Sequence, residues 1–315
     1  MSSTLLPRLL ALALFAMLPA WGADGDTPPA AADPEQLTPE QLTPEQQQGR
    51  ATWDAAMSAM VRGPASVPLK DQATLAVPDG FGYVPVKEAA AVMRLMGNQT
   101  DERFLGLVYP LADEDQYFVS LDYEDSGYIK DDEAKDWDAA ELLQSLKDGT
   151  EAGNEEREKL GIPAIKVTRW VEAPAYDATS HRLVWSAEAV LRDGEDPDPT
   201  INYNTYVLGR EGYISANLIT NASTVDADRQ DAAALLQSVS FNDSKRYGDF
   251  DSSTDKVAAY GLTALVGGLA AKKLGLLAVA TAFVLKFIKI IGVALVALFA
   301  GLRRFFFKPK AGAAP

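Results

Sequence analysis

The chain has 315 residues, with 44 acidic and 29 basic side chains, a net charge of −15, a single histidine and no cysteine. Without cysteine there are no disulfides, no thiol chemistry and no thiolate metal sites, and one histidine cannot build a two-histidine zinc motif. The charge is unevenly spread: Arg8 and the nine basic residues from Lys256 onward stand apart, leaving 19 basic against 43 acidic residues and a central part near −24. Such a surface repels nucleic acid and anionic headgroups, so no nucleic-acid partner is expected.

Taken in order, residues 1–22 carry Arg8, an apolar run over 9–18, and then Pro19, Ala20, Trp21 and Gly22. These are the three regions of a secretory signal, and the apolar run is too short to span a membrane. Residues 23–48 are rich in Pro, Ala and Gln and repeat EQLTP at 35–39 and 40–44. A polar repeat punctuated by proline has little to bury, which predicts a disordered linker. From Gly49 onward Trp53, Met57, Met60 and Val61 form one helical stripe, stopped by Gly63-Pro64.

A soluble domain over residues 49–251 is then predicted from alternating patterns. Short strands are expected at 66–69, 73–77 and 81–84, a helix at 86–96, and a hairpin from 104–109 and 117–123. Asp138 followed by Glu141 has capping-box spacing, so a long helix should run from there to about Leu160. Four strands follow at 164–171, 182–191, 201–208 and 213–220, with 209–212 as a hairpin loop. A final amphipathic helix is expected over 225–239, with Ala232, Leu235, Leu236 and Val239 inward. The fold class is therefore α+β: an antiparallel sheet built on a C-terminal four-strand meander, with helices flanking one face.

Residues 252–315 read as a membrane anchor and basic tail. Beyond Asp255 there is no acidic residue, and Lys272/Lys273, Lys286/Lys289 and Arg303/Arg304 divide apolar runs over 257–271, 274–285 and 290–302. No run alone reaches the roughly 18–20 residues of a transmembrane helix, but lysines near helix ends snorkel, so joined runs do. Gly261, Ala264, Gly267 and Gly268 suit close helix packing in lipid. The tail residues Arg303, Arg304, Lys308 and Lys310 favour a cytoplasmic end, hence one crossing centred on 287–302. Residues 257–271 would then lie at the membrane surface or against the domain.

The stretches GYIKDDEAKDWDAAELL (127–143), GIPAIKVTRWVEAPAYDATSHRLVW (161–185) and NYNTYVLGREGYISANLIT (202–220) resemble a bacterial family of membrane-anchored proteins, domain of unknown function 2167. The resemblance runs from about Ala65 to the end, including DKVAAYGL at 255–262. It implies export and a membrane anchor, and supplies no catalytic residue, substrate or cofactor.

The site candidates are few. Asp122, Glu124, Ser126 and Glu133 occupy ligand places of a calcium-loop frame, yet the segment entering it reads as a strand, and an acidic turn before a helix is favoured by the helix dipole alone. No metal and no cofactor are expected. His181 would have to serve any serine-type triad, and no G-x-S-x-G elbow is present. Alternation places Asn202, Asn204 and Tyr206 on one side of a strand, with Asn217 on the next, and with His181 these form a possible ligand face. Two readings follow. One is a non-catalytic binding or scaffold module, anchored in the bacterial inner membrane and facing the periplasm, with an envelope protein or polar ligand as partner. The alternative is an envelope hydrolase using carboxylates or His181.

Overall fold

The computed structural model describes residues 43–112, 117–159, 163–194 and 196–266. The signal and most of the linker, like the apolar runs beyond Val266, lie outside the described residues. Helix α1 (Pro44–Ala59) begins inside the expected linker, whose last five residues are helical. The second EQLTP repeat ends in a helix start: Thr43 caps Gln46, Gln46 returns to Thr43 N–H at 2.9 Å, and Pro44 sits in the first turn. Proline there forfeits no helical hydrogen bond and presets the backbone, so it opens a helix as readily as it marks a linker.

Strands β1 (Val61–Arg62), β2 (Ala65–Leu69), β3 (Ala73–Val77) and β4 (Phe81–Val84) follow, then α2 (Val86–Leu95), β5 (Phe104–Pro110) and β6 (Phe118–Glu124). Helix α3 (Ala139–Lys159) starts where Asp138 Oδ1 accepts from the N–H groups of Ala140 and Glu141, at 2.7 and 3.1 Å. After it come β7 (Ile165–Asp177), β8 (Arg182–Leu191), β9 (Thr200–Leu208) and β10 (Tyr213–Asn221), then α4 (Val225–Asp231), α5 (Ala233–Gln237) and β11 (Val239–Phe241).

The meander β7–β8–β9–β10 is present, but it is half of a larger sheet. The order is β1-β4-β5-β6-β10-β9-β8-β7, eight strands, with a separate three-stranded sheet β11-β3-β2. The join is β6 against β10, antiparallel from Tyr213 opposite Glu124 to Ile219 opposite Phe118. The architecture is thus a mixed fold of helices and antiparallel sheet, with more strands than the meander alone.

Both faces of the large sheet are covered. Ile214, Ala216 and Leu218 of β10 point to one face, where Leu75 and Val77 of the small sheet, Leu235 and Leu236 of α5, and Val239 close the largest cluster. The opposite face carries two apolar groups. Trp53 and Ala56 of α1 and Ala89 and Val92 of α2 pack on Leu107, Tyr109 and Phe118. Toward β7–β9, Ile129, Leu142, Leu262, Leu265 and Val266 pack with Trp170, Trp185 and Tyr206. Helices therefore flank both faces and not one, because α5 shares the small sheet's side.

The helix expected over 225–239 is broken. It stops at Asp231, resumes at Ala233 and ends at Gln237, and Val239 joins β11, opposite Leu75 of β3. Ala232, Leu235, Leu236 and Val239 are all buried, so the apolar spacing is satisfied by both arrangements. Pairing with the open edge of β3 decided between them.

Residues 257–266, counted with the anchor region in the sequence, pack against the domain, one of the two placements expected for the 257–271 run. Val257 bridges Tyr128 in parallel, and Leu262 and Val266 are fully buried. Glu133 Oε1 accepts from Thr263 N–H at 2.5 Å, and Trp137 Nε1 donates to Thr263 Oγ1 at 3.0 Å. Gly261 is small because Glu133 lies over it: a Cβ there would stand 2.5 Å from Glu133 Oε1. Gly261 and Ala264 thus pack against protein. Among the described residues no helix is long and apolar enough to cross a membrane.

Candidate functional site

Between the two apolar groups on the face packed by α1 and α2, the sheet carries a polar band. Register builds it in rows across β6, β10, β9 and β8. Ser120, Asn217, Asn204 and Trp185 form one row; Asp122, Ser215, Tyr206 and Leu183 form the next. Asn202 follows opposite Ile219. Period-2 alternation dictates that these side chains share a face, and the antiparallel register aligns them.

The band is internally tied. Asn217 Nδ2 donates to Asn202 Oδ1 at 3.0 Å, and Asn204 Nδ2 donates to the Asn202 carbonyl at 3.1 Å. Ser120 Oγ donates to Asp122 Oδ2 at 3.3 Å. Asn217 Oδ1 is buried and has no hydrogen-bond partner among the described residues. A buried acceptor left unpaired costs about 1–3 kcal/mol, and a donor brought by a ligand recovers it. Burial pushes the Asp122 carboxyl above the ordinary carboxylate range, against the Ser120 hydrogen bond and the Arg103 charge, which lower it. Burial likewise raises the Tyr206 phenol, with a smaller contribution from the Asp122 charge. Tyr206 meets Tyr213 edge-on with ring centroids 5.5 Å apart.

Four of the five expected ligand-face residues therefore come together: Asn202, Asn204, Tyr206 and Asn217. His181 does not join them. It precedes β8 at φ 51°, and its carbonyl accepts from Leu208 N–H at 2.9 Å. Leu208 is four residues along β9 from Asn204, roughly 13 Å of strand. The imidazole lies 4.2 Å from the Tyr247 ring, and Tyr128 stacks between Tyr247 and Phe250 at 4.4 and 3.9 Å. His181 Nδ1 is 3.2 Å from the Tyr176 hydroxyl, which donates to Asp131 at 2.8 Å. Its described partners are aromatic rings and a phenol, with no serine or threonine hydroxyl among them. Ser120 has no place among the residues expected from the sequence, and Asp122 was expected in a calcium loop and not on this face. Their alternation along β6 was visible, but the pairing of β6 with β10 was not.

The calcium-loop residues face different partners. Asp122 takes the Ser120 hydroxyl, Glu124 pairs with Arg103 at 2.9 Å, Ser126 Oγ donates to the Gly127 carbonyl, and Glu133 accepts from Thr263. Strand β6 stays extended through Glu124, so the frame does not close on a point. Among the described residues no three metal-binding side chains cluster.

Among solved structures, the solution structure of cyanobacterial PsbP (CyanoP) from Synechocystis is similar at 12% identity and a TM-score of 0.35, covering 58% of this chain and 93% of that one. No curated protein matches the sequence. The family model described as "Protein of unknown function (DUF2167)" matches residues 61–298, from β1 into the last apolar run, and the chain accordingly belongs to that family.

Proposed function

We propose that the protein is a non-catalytic binding or scaffold module of the bacterial envelope. In this reading it is exported, held in the inner membrane by the apolar stretch beyond Val266, and turned with its sheet domain toward the periplasm. Its ligand is polar and uncharged, a glycan being the simplest class, and it is received on the band of Asn202, Asn204, Asn217, Ser120 and Asp122.

The observation that carries this reading is the polar band itself. A strip of amides and hydroxyls across adjacent strands, bordered by Trp185 and Tyr206 and holding an unpaired buried acceptor at Asn217, interrupts two apolar groups on the same face. Amide and hydroxyl groups read hydroxylated ligands by hydrogen bonds, and flanking aromatics supply apolar contact. The acidic central part favours a neutral ligand over an anionic polymer. The signal pattern and the basic tail support the export and the anchor.

A photoreactive residue in place of the exposed Asn202 tests the site in intact cells. It should give a crosslinked species that is lost in Asn217→Leu and is not formed from a probe at exposed Val86. Equal products from both positions would remove the band from consideration. A compartment-specific reporter fused after Pro315 tests the topology. Activity of a reporter that works only in the periplasm would mean an even number of crossings, against the single crossing proposed.

A further inference from the structure

The opposite face of the sheet holds a second feature, independent of the band. A cleft of about 640 Å³ opens between β7–β9 and the α4–α5 pair, within the size range of small-molecule sites. Its floor includes Tyr203 and Thr205 of β9 and Arg182 of β8, and Arg229 and Leu236 stand on the helical side.

Thr205 is 3% exposed, and its hydroxyl has no hydrogen-bond partner among the described residues. Valine would fill the same shape without burying an unpaired hydroxyl, so a threonine here carries an uncompensated cost unless something occupies the cleft. Arg182 presents the complementary feature. Its guanidinium donates to three carbonyls, Leu236 and Val239 at 2.8 and 2.7 Å and Gln237 at 3.2 Å, and so caps the end of α5. No carboxylate is in contact with it among the described residues. A guanidinium has five N–H donors, so Nε–H and one Nη1–H remain beyond these three bonds. Burial lowers the Arg182 pKa, outweighing the opposing pull of the Asp177 charge.

Of the other charges lining the cleft, two are paired with an opposite charge. Glu172 pairs with Arg229, which also takes Asp226 at 3.1 Å. Asp177 accepts from Thr179 N–H at 2.9 Å and from the Ser180 hydroxyl at 2.6 Å. Asp177 stands opposite Arg182 across β7 and β8 and its charge acts on the guanidinium, but the two form no ion pair. Thr205 stands opposite Val184, two residues along β8 from Arg182, which makes Thr205 and Arg182 diagonal neighbours on one face. Diagonal positions lie about 7–8 Å apart, close enough for one small group to touch both side chains.

We propose that this cleft binds a small molecule through a single carboxylate, which accepts from a free N–H donor of Arg182 and from the Thr205 hydroxyl. Charge assistance makes the contact with Arg182 the stronger one, and the Thr205 hydroxyl fixes the second oxygen. The rest of the ligand lies along Tyr203 and Leu236.

The test titrates the full-length protein in detergent micelles with acetate, benzoate and glucuronate, each paired with its neutral counterpart acetamide, benzamide or glucose, by calorimetry. At least one acid should bind roughly tenfold or more tightly than its neutral partner, the ordinary worth of a charge-assisted hydrogen bond. Thr205→Val should weaken that acid about tenfold while the melting temperature stays level or rises, and Thr205→Ser should keep the affinity. Equal binding of acid and neutral probes in all three pairs overturns the proposal. So does a Thr205→Val protein with unchanged affinity, since the hydroxyl would then be a buried orphan only.

Discussion

The indole Nε1 of Trp185, on β8, donates to the carbonyl of Leu265 at 3.0 Å, across 80 residues of chain. Trp137 makes the matching contact with Thr263, so two tryptophans hold the front of the apolar C-terminal stretch against the sheet. The first expectation concerns where the domain ends. Leu262, Leu265 and Val266 are 0–6% exposed. Burying each stabilises by about 1.5–3 kcal/mol, so losing them removes roughly 5 kcal/mol or more, comparable to the whole stability of many domains. A chain ending after Val266 should unfold cooperatively in urea; one ending after Lys256 should be molten or far less stable. Equal midpoints for the two would show that the segment is not part of the fold.

Gly127 controls the same docking. Its φ is 87°, and a Cβ there would stand 2.6 Å from the Lys256 carbonyl oxygen and 3.2 Å from the Ala258 nitrogen. Tyr128 N–H donates to that Lys256 carbonyl, and Ala258 N–H donates to the Tyr128 carbonyl, both at 2.8 Å. A side chain at 127 is therefore penalised twice, by left-handed backbone and by collision with backbone that cannot swing away. Gly127→Ala should cost about 2–3 kcal/mol. Hydrogen exchange should rise first at residues 258–266, before the strands of the large sheet. A variant within ~0.5 kcal/mol of the parent, with exchange unchanged there, would mean that the segment is held from elsewhere.

Asp122 gives the pH dependence. Its folded pKa is raised, chiefly by burial. A raised pKa means that the folded state binds the proton more tightly, so the contribution to stability is fully present below the unfolded value of about 3.9 and is lost as pH rises through the folded value. Above that window the buried carboxylate is a standing penalty. Asp122→Asn keeps an acceptor for the Ser120 hydroxyl and removes the charge. Urea midpoints should therefore favour the variant at pH 7, with the difference shrinking toward pH 4. A destabilised variant at pH 7 would show that the carboxylate is satisfied by a partner, Arg103 being the cation whose charge acts on it.

How much was legible follows from the range of each signal. Strands β3, β4 and β8 have the limits their alternation suggests, and Asp138 caps α3 as its spacing with Glu141 indicates. Turn chemistry, caps and period-2 patterns are set by residues a few positions apart, and no distant contact overrode them here. Thr43 shows the margin: the same Thr-Pro pair reads as linker or as helix start, and only the pairing with Gln46 distinguishes them.

The sequence by itself thus determined the kinds of element, the antiparallel meander, the clustering of Asn202, Asn204 and Tyr206 on one side of a strand, and the acidic charge of the central part. Tertiary structure decided the rest. Only the pairing of β6 with β10 merges hairpin and meander into one eight-stranded sheet and brings Ser120 and Asp122 beside Asn217. Only the edge of β3 turns Val239 from helix to strand. The segment 257–266 is the sharpest case, because an apolar run satisfies a lipid bilayer and an aromatic-lined sheet face by the same loss of water contact. The choice rests on Trp137, Trp185 and Glu133, whose directional hydrogen bonds to Thr263 and Leu265 join residues 80 to 130 positions apart, a distance that no local pattern encodes.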